Sequence, residues 1–246
     1  MVTLSLSAIL LAVLAVSCSS TGDSTARTTR APAPLAALSG ARVVVVGASD
    51  AVGYGADDPV TDAWPAVLER TALEGATLVN LGIPGATVAV ALDREVPEAL
   101  AARPDVVAVW LSVNDFLARV PVTTYERQLG ELVHALRRGG AARVLVGNTP
   151  PLDRLPIYLA CQTDPGCLGG ALPGPEVIRE AVDAYNAAIG RVVAKEGAEL
   201  VDLHAVTVAA RAAGTEASFV GADGFHPSTA GHRAVAGAFA AVVGRS

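Results

Sequence analysis

From Arg42 onward the chain alternates two kinds of apolar pattern. Short unbroken runs, rich in Val, occupy Arg42–Val46, Thr77–Leu81, Val106–Leu111, Arg143–Val146 and Glu199–Leu203, and Gly47, Gly82 and Gly147 stop three of them. A β-branched run without a polar face predicts a strand covered on both sides, as in a parallel sheet. Between the runs lie longer stretches with apolar residues at helical spacing, at Asp62–Leu73, Val88–Ala102, Thr124–Arg138, Pro175–Lys195 and Thr229–Val243. The fourth opens on Pro-Glu, residues suited to a first helical turn. Regular alternation of strand and helix predicts an α/β fold, a three-layer α/β/α sandwich. No internal repeat occurs.

One segment, Asn148–Pro173, breaks the alternation. It holds five of the 15 prolines together with Cys161 and Cys167. An insertion of that length in a compact domain is usually functional or flexible. It follows the fourth strand, so it is expected at the edge where the other strand-end loops gather. There it would form a wall or lid, with Leu152, Leu155, Ile157, Tyr158, Leu159 and Leu168 available to line a pocket.

The first residues follow a different logic. Leu4–Val16 is apolar and uncharged, too short to span a bilayer comfortably, and matches the central region of a signal peptide, although no Lys or Arg precedes it. Residues 1–18 are therefore expected to be a signal peptide. Leu14-Ala15-Val16-Ser17-Cys18 resembles a bacterial lipobox, with Ala15 where Leu is usual, so Cys18 is a candidate for lipidation and a membrane tether; ordinary cleavage nearby is the alternative. Residues 19–40 are rich in Ser, Thr, Ala and Pro and predict a tether that buries little. The folded domain is expected at 41–246. An exported chain meets an oxidising compartment, so Cys161 and Cys167 are expected to form a disulfide around an Asp-Pro-Gly turn; a metal pair is the weaker alternative, since no His or further Cys lies near them.

Composition narrows the partners. Of the 246 residues, 52% are hydrophobic, 17% charged and 4% aromatic, and the formal net charge is −6. That suffices for one large aliphatic core. No Lys/Arg-rich run occurs, which argues against nucleic acid as a partner.

Ligands of open α/β sheets bind outside the carboxyl ends of the strands, so the residues just after each run matter most. After the first comes Gly47-Ala48-Ser49-Asp50-Ala51-Val52-Gly53-Tyr54-Gly55; after the second, Asn80-Leu81-Gly82-Ile83-Pro84-Gly85; after the third, Trp110-Leu111-Ser112-Val113-Asn114-Asp115. Asp223-Gly224-Phe225-His226-Pro227-Ser228 precedes the last helix. Each has a plain reading alone: a turn, a second turn, a helix cap, a structural histidine. The last is better than plain, because a carboxylate three residues before a His can hold the imidazole Nδ1–H and fix its tautomer.

In this order the four segments resemble the blocks of the SGNH, or GDSL-like, hydrolase family: Gly-Asp-Ser, then Gly, then Gly-x-Asn-Asp, then Asp-x-x-His. The resemblance runs from Val43 to about Val243. It implies a flavodoxin-like sheet of five parallel strands and a secreted or lipid-anchored serine hydrolase of carboxylic esters. Ser49 would be the nucleophile, with Asp223 and His226 completing a triad. The Ser49 N–H, the Gly82 N–H and the Asn114 amide would form the oxyanion hole. The implied chemistry passes through an acyl-enzyme and uses no metal or organic cofactor. The substrate would be a small-molecule, lipid or glycan acyl ester, met outside the cell or in its envelope.

Two positions depart from the family blocks. Ala48 stands where Asp is usual and normally braces the serine turn; Asp50 is the neighbour that would compensate. Ser112 stands where Gly is usual. The remaining histidines read as background: His134 exposed on a helix, His204 in a loop after the fifth strand, His232 structural. Trp64 and Trp110 are expected in the core or the site wall. Two rival readings fit the sequence less well. A nucleotide-binding protein would want Gly where Ser49 stands, or a Gly-Lys-Ser/Thr sequence that is missing. A non-catalytic envelope glycan-binding module on the same fold has no need of Ser49, Asn114, Asp223 and His226 together.

Overall fold

The computed structural model describes residues 38–162, 164 and 172–245. The expected signal peptide with Cys18, nearly all of the 19–40 tether, and Cys167 with Leu168 lie outside them.

The Val-rich runs form the sheet. Strands β1 (Arg42–Gly47), β2 (Thr77–Asn80), β3 (Val106–Trp110), β4 (Arg143–Gly147) and β5 (Glu199–Val201) are all parallel, in the order β2-β1-β3-β4-β5. This is the flavodoxin-like order, which reverses direction between β1 and β3 and opens a crevice there. β1, β3 and β4 are buried almost throughout, whereas the edge strands β2 and β5 are partly exposed. Successive side chains point to opposite faces. Thus Val44 and Val46 of β1, with Val107, Val109, Val144 and Val146, face one core, while Val43, Val45, Val106, Ala108 and Leu145 face the other.

Helices cover both faces. α2 (Val88–Ala102), α4 (Val122–Arg137) and α6 (Pro175–Glu196) pack on the first; α1 (Trp64–Ala72) and α8 (Thr229–Val243) pack on the second. In the second core the Trp64 ring stacks on Phe239 with centroids 4.7 Å apart. α2 and α8 have the bounds that the apolar spacing predicts, and the other three helices differ from it by one or two residues at their ends.

Three helices were not expected: α3 (Val113–Leu117), α5 (Pro156–Cys161) and α7 (Leu203–Ala212). The first two are a turn or two long, too short to show a period. The third corrects the fifth run, which was expected to stay extended to Leu203. Asp202 ends it, because its carboxylate accepts the Ala205 N–H at 2.9 Å and caps a helix beginning at Leu203. His204 consequently sits in the first turn of α7 rather than in a loop.

The insertion after β4 is clamped rather than draped. Thr149 N–H donates to Asn186 Oδ1 at 2.8 Å, and the Asn186 amide returns to the Thr149 carbonyl at 2.9 Å, tying the segment to α6. Asn148 donates to Asp202 at 2.8 Å and accepts the His204 N–H at 2.8 Å, tying it to the start of α7. Cys161 is buried at the end of α5.

Candidate active site

Where β1 ends, the chain runs through successive tight turns before α1 begins. Ala51 N–H bonds the Ala48 carbonyl, and the Val52 and Tyr54 N–H groups both bond the Ser49 carbonyl. These turns put Ser49 at the carboxyl edge of the sheet. Two side chains hold them from outside. Asn80, the last residue of β2, donates to the Ala51 carbonyl at 2.6 Å. Glu95, buried on α2, accepts the Gly47 N–H at 2.8 Å.

The histidine loop meets the turn from the other side. An isolated antiparallel bridge joins Val220 to Pro227, and Gly221 N–H bonds the His226 carbonyl at 2.8 Å. His226 Nε2 lies 2.9 Å from Ser49 Oγ, and its Nδ1 lies 2.5 Å from Asp223 Oδ2. Asp223 Oδ1 accepts the Phe225 and His226 N–H groups at 2.9 and 3.0 Å. Burial alone would push the Asp223 carboxyl up, but these bonds from His226 and the two backbone groups outweigh it and hold the carboxyl below its ordinary value. The anion is thereby favoured beside the imidazole. Tyr54 and Phe225 flank the imidazole, with ring centroids 5.2 and 4.8 Å away.

Asn114 comes from α3. Its amide donates to the Ala86 carbonyl at 2.9 Å, and the neighbouring Asp115 accepts the Val88 N–H at 3.0 Å, so α3 is docked onto the start of α2. An amide carries two protons, and this bond engages one. Gly82 packs against the Ser49 turn: a Cβ there would lie 2.6 Å from Ala51 Cβ. Its N–H bonds Asn80 Oδ1 at 3.1 Å.

Ser49, Asn114 and His226 open on a cavity of about 320 Å³. Its walls are mainly apolar, with Leu152, Leu155 and Leu159 from the insertion, Val206 from α7, and Phe219 and Val220 beyond it, and Arg154, Thr207 and Glu216 add polar groups. Of the other apolar residues expected to line it, Tyr158 is buried with its hydroxyl donating to the Pro173 carbonyl at 2.5 Å, and Ile157 donates its N–H to the Gly224 carbonyl at 3.2 Å. Trp110 lines the cavity, whereas Trp64 is core. His134 is exposed and 3.0 Å from Glu196. His232 is structural, receiving the Trp64 N–H at Nδ1 and bonding the Tyr54 carbonyl through Nε2, and burial lowers its pKa. Among the described residues no three His, Cys, Asp or Glu side chains gather as a metal would require.

The sequence model described as the GDSL-like Lipase/Acylhydrolase family matches residues 45–234. The chain belongs to that family. Among solved structures, the lipase/acylhydrolase from Enterococcus faecalis superposes with a TM-score of 0.64 at 22% identity, over 82% of this chain and 94% of that one. An α/β hydrolase enzyme from the metagenome of Lake Arreo, Spain, gives 0.64 at 24% identity, over 84% and 96%. A mutant of an acetyl-xylooligosaccharide esterase from Geobacillus gives 0.62 at 22% identity, over 84% and 95%. No curated protein matches the chain.

Against the blocks of the GDSL-like family, both departures now have a physical account. Ser112 needs no glycine, because its φ of −170° is extended backbone open to any residue. Ala48 leaves the Ser49 turn without its usual brace. Asp50 is buried in the turn, where burial pushes its pKa up to about 7 and the Asp50, Ala51 and Ala48 backbone and the Trp64 indole act against that rise. A second brace is Glu95, which accepts the Gly47 N–H. Sequence reasoning missed it, although a signal was present. Val88, Ala91, Glu95, Val96 and Ala99 form the buried stripe of α2, and Glu95 is the one charge on it.

Burial raises three carboxyls near the strand ends, Asp50 and Glu95 to about 7 and Asp115 to about 6. Between about pH 4 and 7 the folded chain therefore holds protons that the unfolded chain has released, and their contribution to stability is present at the acid end and lost as pH rises. Asp223 and Asp153 are shifted down, so their contribution is lost as pH falls below about 4. The melting temperature should therefore be higher near pH 5 than near pH 8. Glu95→Gln keeps an acceptor for Gly47 and removes one of the charges, so it should shrink that difference in paired melting curves.

Gly55 offers a second test. Its φ is +85°, and a Cβ would lie 2.4 Å from the Pro227 carbonyl oxygen and 2.8 Å from His226 Cβ. Gly55→Ala should displace the His226 loop and lower kcat/KM for an ester about 100-fold, since misplacement by about 1 Å has that effect. A folded variant within twofold of wild type would show that the loop absorbs the shift.

Proposed function

We propose that the protein is an exported serine hydrolase of carboxylic esters, with Ser49 as nucleophile, His226 as base and Asp223 as its partner. One observation carries the reading: the unbroken chain Ser49 Oγ–His226–Asp223, with contacts of 2.9 and 2.5 Å, at the mouth of an apolar cavity. Family membership supports ester hydrolysis. The leader pattern at 1–18 supports export, with Cys18 as the site of a lipid anchor in the envelope and Cys161–Cys167 as the bridge that an oxidising compartment would allow.

In this mechanism His226 Nε2 takes the Ser49 proton as Oγ attacks the acyl carbon. Asp223 holds Nδ1–H and stabilises the imidazolium. The Ser49 N–H and the Asn114 amide proton not engaged by Ala86 face the developing oxyanion, whereas the Gly82 N–H bonds Asn80 Oδ1. His226 then protonates the departing alcohol, and a water deprotonated by the same imidazole releases the acid and restores Ser49. The cavity lining favours an aliphatic acyl group over acetyl.

A panel of p-nitrophenyl esters from acetate to dodecanoate tests the reading. Ser49→Ala should abolish turnover while the melting curve stays unchanged; more than about one hundredth of wild-type activity would remove Ser49 from the chemistry. His226→Ala should do comparable damage and Asp223→Asn less.

Asn114→Ala should lower kcat by about 10²–10³ and leave KM nearly unchanged, because an oxyanion donor acts on charge formed in the transition state. A variant that raises KM alone would make Asn114 a ground-state binder of substrate.

A further inference from the structure

Three stretches of the cavity wall lie beyond the strand ends that carry Ser49 and Asn114: the insertion after β4, helix α7, and the 3₁₀ turn Glu216–Phe219; Trp110 of β3, α3, the His226 loop and α8 complete the lining. One cluster of charges joins all three. Asp153 lies in the insertion between Leu152 and Leu155, and its side chain is only 2% exposed. Its Oδ1 accepts Arg211 Nη2 at 3.0 Å. The same guanidinium, from the last turn of α7, grips Glu216 through two bonds of 2.8 and 2.7 Å. Asp153 Oδ2 accepts Arg179 Nη1 from α6 at 3.1 Å, and Arg179 also reaches Glu176 at 3.2 Å. α6 contributes no residue to the cavity lining.

We propose that Asp153 and Arg211 are positioning residues for substrate selection: their ion pair, with Arg211 bound to Glu216, fixes the spacing of the three walls and so sets which acyl chains the cavity admits. The inference rests on the proposed function, in which the cavity receives the acyl group.

The physical ground is the contrast between the two parts of the site. The Ser49 turn and Asn114 are held by hydrogen bonds between side chains and backbone, from Glu95 to Gly47, Asn80 to Ala51 and Asn114 to Ala86. Beyond the Asn148 clamp at the start of α7, the walls meet mainly through apolar side chains, which fill space without fixing a distance. A buried carboxylate cannot slide in the same way, because moving it off its guanidinium partners leaves an unpaired charge out of water. Arg211 presents its donors as a rigid fork. A carboxylate on each side of it therefore locks the insertion and the 3₁₀ turn at set distances from α7. Arg179 holds the same carboxylate but touches no second wall, so it anchors Asp153 without setting the width.

The test compares p-nitrophenyl acetate with p-nitrophenyl decanoate on the full chain, using wild type, Asp153→Asn, Arg211→Lys and Arg179→Ala, each checked by its melting curve. Acetate needs no cavity depth. Asp153→Asn and Arg211→Lys should lower the decanoate-to-acetate ratio of kcat/KM by about tenfold, within the range that apolar pocket contacts supply. Arg179→Ala should lower the melting temperature and leave the ratio within twofold. Unchanged ratios in the first two variants, or an equal fall in all three, would overturn the inference, the second by reducing the cluster to general stability. If Asp153→Asn does not fold, Arg211→Lys, which keeps the charge and loses the fork, decides against Arg179→Ala. A wild type that cleaves neither ester overturns the proposed function instead.

Discussion

The bond from the Gly47 N–H to the Glu95 carboxylate expresses the constraint on which the site depends. At the carboxyl end of a parallel strand the backbone leaves its ladder, yet it is still buried, and its polar groups must find partners. In this protein side chains supply them at one strand end after another. Glu95 serves Gly47, Asn80 serves Ala51, Asn114 serves Ala86, Asp115 serves Val88, Asn148 serves His204 and Asn186 serves Thr149. A row of short polar side chains is thus required along this edge for folding alone. The same row offers donors and acceptors to anything that enters the crevice.

The arrangement has an energetic side. Glu95, Asp50 and Asp115 are carboxyls in apolar surroundings, and burial raises all three. Glu95 Oε1 and Asp50 Oδ2 find no hydrogen-bond partner in the protein, nor do the Trp64 and Trp110 indole nitrogens or the Ser112 and Thr149 hydroxyls. Trp64 lies near enough to Asp50 to ease its ionisation without completing a hydrogen bond. Unsatisfied buried groups are rare, and each is unfavourable. Most of these sit at or just beneath the strand ends, where polarity is concentrated around Ser49. The aliphatic cores on the two faces of the sheet supply the compensating stability.

Much of this was legible in the sequence because it follows from local rules. Unbroken Val runs read as doubly covered strands, and five alternating helices fix the layers. Position just past a strand or just before α8 left Ser49, Asn114, Asp223 and His226 with plain readings, and the order of their four segments, which resembles the family's blocks, singled them out. What escaped was either short or distant. α3 and α5 are too brief for a period to emerge, and the start of α7 at Leu203 was hidden in an apolar run that reads equally as strand. Asp153, Arg211 and Glu216 are ordinary surface types in the sequence, and only the fold buries Asp153 between two guanidiniums. Glu95 lay between these cases. A lone carboxylate on the buried stripe of α2 conflicts with the helical pattern, and such a conflict marks a site. The missing Asp at position 48 was the other half of that signal.

Asn114 shows why the chemistry and the fold cannot be separated here. An amide that must face a developing oxyanion needs its orientation fixed beforehand, since reorganisation during the reaction would consume the stabilisation it provides. One proton of the Asn114 amide is held by the Ala86 carbonyl, and the adjacent Asp115 is held by the Val88 N–H. Both partners belong to the turn that starts α2, and α2 carries Glu95 to Gly47. A single helix therefore connects the proposed oxyanion donor to the turn bearing the proposed nucleophile through three hydrogen bonds, all formed on folding. Rigid placement follows without any bond made for that purpose alone. The insertion is tied to the end of β5 and the start of α7 through Asn148, and the Asp153 cluster sets the spacing of the walls farther out. That spacing can change with a few side chains while the Ser49–His226 contact is held by the Ser49 turn and the Val220–Pro227 bridge, which is the physical condition under which the proposed centre would serve different acyl groups.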